Sequence, residues 1–151
     1  METSQFLAKV KSKFETQGIT LTQKRSRILE ILCHVDQSAS AYQIVDIYKE
    51  FYDESIPPMS VYRILDFLID VKAVHKLESV NQFILCEHIA CDHEHMKAQF
   101  LICDDCQAIE EIVLDQHIVD SLKQSILDTK FTLKSSQIEL HGLCADCAAN
   151  S

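Results

Sequence analysis

The stretch "CEHIACDHEHMKAQFLICDDC", from Cys86 to Cys106, holds four cysteines and three histidines in 21 residues. Thiolates and imidazoles at that density are metal ligands before they are anything else. Cys103-x-x-Cys106 is matched by Cys144-x-x-Cys147, with 37 residues between the pairs. Each pair suits a knuckle, and four thiolates close a tetrahedral zinc site that has no open position and is therefore structural. A redox pair would need a βαβ context and would not explain two pairs. A second set is mixed. His75 and Cys86 supply two ligands, and the remainder come from His88, Cys91, His93, His95 and the acidic pair Glu110–Glu111. One thiolate with imidazoles and a carboxylate suits zinc, which is borderline-soft. Against this stands the plain reading of "CDHEH" as a polar linker.

The elements that must carry these residues follow from spacing. Phe6, Leu7, Val10 and Phe14 have helical period, with Gly18 as the stop. Thr22 is expected to cap a second helix bearing Ile28, Ile31, Leu32 and Val35; Cys33 lies among these and is expected in the core. Ser40 with Gln43 reads as a capping box for a third helix bearing Ile44, Ile47, Tyr48 and Phe51. After Pro57–Pro58, Ser60 is expected to cap a fourth, whose Val61, Ile64, Leu65, Leu68 and Ile69 form a full amphipathic stripe. Its outer face begins with Tyr62, Arg63 and Asp66. An Arg and a Tyr there suit reading of base edges in a major groove, or equally a solvated surface. Val74–Glu78 and Gln82–Cys86 predict a hairpin turning at Val80–Asn81, which sets His75 directly opposite Cys86. Helices followed by such a hairpin make a winged helix-turn-helix. In the second half, Phe100–Cys103 and Ala108–Val113 read as strands, Asp115 starts a helix with Ile118, Val119, Leu122 and Ile126, and Phe131–His141 returns as strand. The fold class is α+β: a winged-helix DNA-binding domain over residues 1–86, a metal-binding hinge over 87–99, and a small zinc-stapled α/β domain over 100–151.

Charge divides along the same line. The chain carries a formal net charge of −9, but residues 1–80 hold 10 Lys+Arg against 11 Asp+Glu, and residues 81–151 hold 4 against 12. All three arginines lie in the first half. Filling two zinc sites through five thiolates leaves this acidity in place. DNA affinity must therefore come from a local basic face drawn from Lys9, Lys11, Lys13, Lys24, Arg25, Arg27, Arg63 and Lys76. No apolar run is long enough for a transmembrane helix or a signal-peptide core, so a cytoplasmic protein without a membrane partner is expected. In that reducing compartment an odd cysteine count favours metal over disulfides. No H-E-x-x-H occurs, nor the H-x-E with P-C-x-x-C of zinc deaminases, so no enzyme is expected.

"PPMSVYRILDFLIDVKAVHKLES", "FLICDDC" and "HGLCADC" together resemble the ferric-uptake-regulator superfamily, most closely its zinc-uptake branch, over Leu21 to Cys147. The resemblance implies a homodimer, with residues 100–151 as its dimerisation domain, that binds palindromic operator DNA and represses zinc-acquisition genes when zinc is plentiful. It implies two zinc ions per chain: a structural one on Cys103, Cys106, Cys144 and Cys147, and a regulatory one on His75, Cys86, a histidine before "FLIC" and Glu111. Glu111 is preferred to Glu110 because the family places this ligand five residues after the second knuckle cysteine. The histidine segment is longer than the family pattern; His95 is preferred, with His93, His88 and Cys91 as alternates. Tyr62 and Arg63 fall where the family contacts DNA, and Ser60, Arg25, Lys24 and Lys76 complete the expected DNA-facing set. The alternatives are the same scaffold sensing iron, manganese or peroxide, and a zinc-stapled protein-interaction module. The thiolate of Cys86 argues for zinc, since hard cations prefer oxygen and nitrogen. His141, just before the second knuckle, reads either as a support for the zinc ligands or as an ordinary strand residue.

Overall fold

The computed structural model describes residues 3–89, 99–135 and 137–151. The chain divides into two compact units, Met1–His93 and Glu94–Ser151.

In the first unit, α1 (Thr3–Thr16) buries Val10 and Phe14. It ends in a Schellman turn: Ile19 N–H donates to Phe14 O (2.8 Å) and Gly18 N–H to Glu15 O (3.1 Å), with Gly18 at φ 70. Helix α2 (Gln23–His34) starts at Thr22, whose hydroxyl accepts from Arg25 N–H. Helix α3 (Ala41–Tyr52) has the expected capping box, with Ser40 Oγ accepting from Gln43 N–H and Gln43 Oε1 accepting from Ser40 N–H. Both caps were readable because a short polar side chain satisfies a helix-end N–H that nothing else reaches.

Helix α4 (Pro58–Asp70) begins earlier than expected. Ser60 is not its cap: it lies inside the first turn, its N–H donating to Pro57 O at 2.9 Å, and Pro57 takes the N-cap position. Pro58 supplies the reason, since its fixed φ and missing N–H suit the first helical position. Val61, Leu65 and Leu68 are fully buried, and Ile64, Phe67 and Ile69 pack partly against the same core. Cys33 is only half-buried and is not among those core residues. Burial still pushes its thiol up to about 11.

The wing is β1 (Val74–Leu77) against β2 (Gln82–Leu85), joined to the helices by a two-bond bridge between Ala39 and Phe83. Its register differs from the expected one. His75 faces Ile84, not Cys86, and Cys86 N–H donates to Ala73 O. The turn takes in Glu78 to Asn81, with Asn81 at φ 49, rather than a tight turn at Val80–Asn81. The slip is two residues, so the face is kept: His75 and Cys86 are diagonal neighbours on one side of the hairpin, about 7–8 Å apart at the backbone.

Arg27, half-buried, is held by contacts within this unit. Its guanidinium donates to Tyr48 Oη (3.1 Å) and Glu54 Oε2 (2.7 Å) and lies 4.4 Å from the Tyr52 ring centroid, while Tyr52 Oη donates to Glu30 Oε2. It ties α2 to α3 and is withdrawn from the expected basic face. Arg27→Ala is expected to lower the melting temperature by about 4–8 °C while leaving operator affinity of the folded protein unchanged. Thermal unfolding and a binding isotherm check the two halves of that expectation.

The second unit is a three-stranded sheet with β3 (Gln99–Cys103) central, β4 (Ile109–Ile112) antiparallel to it and β5 (Ile138–Gly142) parallel. Helix α5 (Gln116–Leu127) is capped by Asp115, whose carboxylate accepts from His117 N–H. The return strand is shorter than the expected Phe131–His141. Its ladder pairs Ile138–Gly142 with the five residues of β3, and none of the described residues between Phe131 and Ile138 is in a strand. A short α6 (Ala145–Ala149) follows Cys144 and was not foreseen. No residue of α5 is fully buried in the chain by itself; Ile118, Leu122 and Leu127 are exposed, as are Leu140 and Leu143.

Candidate metal centre and DNA-facing surface

The sheet topology builds the four-cysteine centre. Cys103 is the last residue of β3 and Gly142 the last of β5, and the two are in register. Because these strands run parallel, both chains leave the sheet at the same end, and two residues further on Cys144 stands beside Cys103. The first knuckle is closed by Gln107 N–H to Cys103 O (3.0 Å) and Cys103 N–H to Ala108 O (2.9 Å), with Gln107 at φ 63. Asp104 N–H donates to Gly142 O (2.9 Å), and Cys144 N–H points at Cys103 Sγ from 3.3 Å. The four sulfurs of Cys103, Cys106, Cys144 and Cys147 all lie within 4.8 Å of one another, and Cys106 Sγ is 3.7 Å from Cys144 Sγ. A zinc–sulfur bond of about 2.3 Å implies tetrahedral edges of about 3.8 Å. The donor set and its spacing therefore fit zinc, with all four positions taken and none left for water.

The electrostatics suit thiolate formation at Cys103. The backbone N–H groups of Cys106 and Cys144 draw its thiol down to about 6. Cys147 is pushed up by its hydrogen bonds to Cys144 and Cys106, because the neighbouring sulfurs share one region of negative charge. His141 Nδ1 lies 2.8 Å from Asp104 Oδ1, so the residue before the second knuckle clasps the first. Of the two readings open for His141, this geometry favours support of the ligand loops.

The second expected set is only partly placed. His75, with Nε2 buried, and Cys86, 3% exposed, share one face of the wing. His88 is half-buried just beyond. In the second unit, Glu111 pairs with buried Phe100 and has a buried carboxylate oxygen, whereas Glu110 pairs with Leu101 and is exposed. Strand alternation thus separates the two glutamates, with Glu111 inward. His95, His93 and Cys91 lie outside the described residues.

Of the expected DNA-facing residues, Arg63 and Lys24 are exposed, and Tyr62 is half-buried against the core. Ser60 is half-buried in the first turn of α4. Arg25 donates to Thr20 O and stacks over Phe67, 3.5 Å from the ring centroid, one helical turn from Arg63. The Phe67 platform was missed because Phe67 lies off the stripe of Val61, Ile64, Leu65, Leu68 and Ile69, and nothing near it in sequence points to Arg25 on another helix. Lys76 pairs with Glu78 at 3.2 Å, and Lys13 donates to Ile89 O, which leaves the surface less basic than the sequence suggests.

Residues 16–141 match the Ferric uptake regulator family. The zinc uptake regulation protein of Escherichia coli (strain K12) is 35% identical over 145 residues, covering 96% of this chain and 82% of that protein. Among solved structures, a zinc uptake regulator complexed with zinc and DNA superposes with a TM-score of 0.85 at 31% identity, covering 99% of this chain and 97% of that one. A holo zinc uptake regulator superposes at 0.81 with 34% identity, covering 98% and 99%. No helix among the described residues is long and apolar enough to cross a membrane.

Proposed function

The chain belongs to the ferric uptake regulator family, and from that premise we propose that it is a zinc-responsive transcriptional repressor whose zinc-loaded homodimer binds palindromic operator DNA and silences zinc-uptake genes. The observation that carries the reading is the placement of His75 and Cys86 on one face of the wing that directly follows α4. Metal ligands built into the DNA-binding unit itself make a sensor; a four-sulfur centre alone would make only a staple. Each chain holds two zinc ions. Cys103, Cys106, Cys144 and Cys147 take the structural one. His75, Cys86, Glu111 and a histidine of the following segment, His95 or else His93, take the regulatory one. Cys86 favours zinc over iron or manganese at that second position. The apolar residues left exposed on α5 (Ile118, Leu122), on β5 (Leu140) and just after it (Leu143) support a second copy as partner, since a helix with an unburied apolar face finds its cover in an oligomer.

DNA meets the exposed face of α4. Residues at the start of a recognition helix reach base edges, and the exposure of Arg63 on that helix supports a bidentate bond to a guanine. Arg63→Ala is expected to weaken specific binding by about 1–3 kcal/mol and to relax preference at one position per half-site. A uniform loss on all sequences would make Arg63 a phosphate contact instead. The reading as a whole is tested by fluorescence anisotropy on a duplex selected from a random pool. Zinc-loaded protein should bind it and chelator-treated protein should not; equal binding in both states would refute zinc-responsive repression.

A further inference from the structure

We propose that Met59 is a base-reading residue that takes the 5-methyl group of a thymine in the major groove; the proposal rests on the DNA-binding reading above. Met59 is the second residue of α4 and is 64% exposed. Every other large apolar side chain of that helix is taken up by the core: Val61, Leu65 and Leu68 fully, Ile64, Phe67 and Ile69 in part. Met59 faces the other way, four residues before exposed Arg63, and residues so spaced are neighbours on a helix surface. Pro57 and Pro58 fix the backbone that leads into this turn, so the side chain projects from a defined point.

A single exposed methionine on a protein surface is ordinary. Its position here is what carries the inference. The first turn of a recognition helix is where base edges are reached. The edges of the major groove are hydrogen-bonding groups with one apolar exception, the thymine methyl. Met59 has no charge and no hydrogen-bond donor, so the groove offers it that one complementary group. Its unbranched, polarizable thioether conforms to the methyl while Arg63 addresses an adjacent polar edge.

The test uses the zinc-loaded full chain and a duplex selected from a random pool by the wild-type protein. Each thymine is replaced in turn by uracil, which keeps every hydrogen-bonding group and lacks only the methyl. Wild type should lose about fourfold at one thymine of a half-site and about fifteenfold when both half-sites are changed, as burial of one methyl group implies. Met59→Ala should bind the thymine duplex more weakly and show no difference between thymine and uracil at that position. Met59→Leu should restore part of the discrimination. Indifference of the wild type to every thymine-to-uracil change would overturn the proposal, as would an undiminished loss in Met59→Ala. If zinc-loaded wild type selects no duplex, the DNA-binding reading fails and this proposal falls with it.

Discussion

Replacing Cys103 with Ser is expected to remove one zinc per chain and to dissolve the second unit as a dimerising element. Cys103 is 4% exposed, ends the central strand, and is the sulfur toward which the Cys144 N–H is aimed. Its place makes it the corner at which both knuckles meet. In a small three-stranded unit whose helix buries no residue fully, little apolar packing remains to hold the sheet end together once the metal is gone. Binding free energy at a structural zinc site is folding free energy, because the unfolded chain has no such site. The hydroxyl of Ser is a harder and poorer ligand than a thiolate. Metal analysis should read one zinc fewer, and sedimentation should read a monomer or an aggregate. Cys33→Ser is the control. That thiol is half-buried and outside the cluster, so the variant should keep its zinc and its dimer. A dimeric Cys103→Ser protein with its full zinc content would refute the assignment.

Cys86→Ser and His75→Ala are expected to do the opposite: keep the fold, the dimer and the structural zinc, and lose the response to zinc. Both residues lie on the wing, away from the four-sulfur centre in sequence and on a different unit. In the proposed repressor they bind the regulatory ion together with Glu111. DNA binding by a two-fold dimer requires both recognition helices to meet half-sites at one spacing. In that proposal, ligands drawn from both units would restrict the dimer to arrangements that meet that spacing. Loss of either wing ligand should therefore remove a coupling of about 1–3 kcal/mol, or about 5- to 150-fold in operator affinity at saturating zinc. The measurement is operator binding by each variant with its metal content determined. Wild-type affinity in a variant whose second site is empty would contradict the mechanism.

Much of this was legible in the chain alone, for identifiable reasons. The caps at Thr22 and Ser40 and the stop at Gly18 are local chemistry, settled within four residues. The stripe of α4 is a period, and periods survive any tertiary context that buries one face. The four cysteines were legible because two short knuckles fix their own geometry. Where the reading failed, the deciding partner was distant or geometric. Ser60 looked like a cap because Ser usually is one, yet Pro58 at the first helical position moves the cap three residues earlier, to Pro57. The wing register depended on a four-residue turn with Asn81 left-handed, which neither strand encodes. The return strand was overextended because its length is set by β3, whose Gln99–Cys103 pair with Ile138–Gly142 from far earlier in the chain. Arg27 was assigned to the surface because nothing in its neighbourhood in sequence reveals Tyr48, Tyr52 and Glu54.

In the proposed repressor, zinc and DNA bind as one linked equilibrium. Linkage requires that if zinc tightens DNA binding by a given factor, DNA tightens zinc binding by the same factor. The most direct measurement is therefore the zinc affinity of the second site, by competition with a chelator of known affinity, with and without saturating operator duplex. Operator is expected to tighten zinc at that site by about 5- to 150-fold, matching the zinc-dependent gain in DNA affinity, while the four-cysteine site stays occupied throughout. A second-site zinc affinity unchanged by DNA would contradict it.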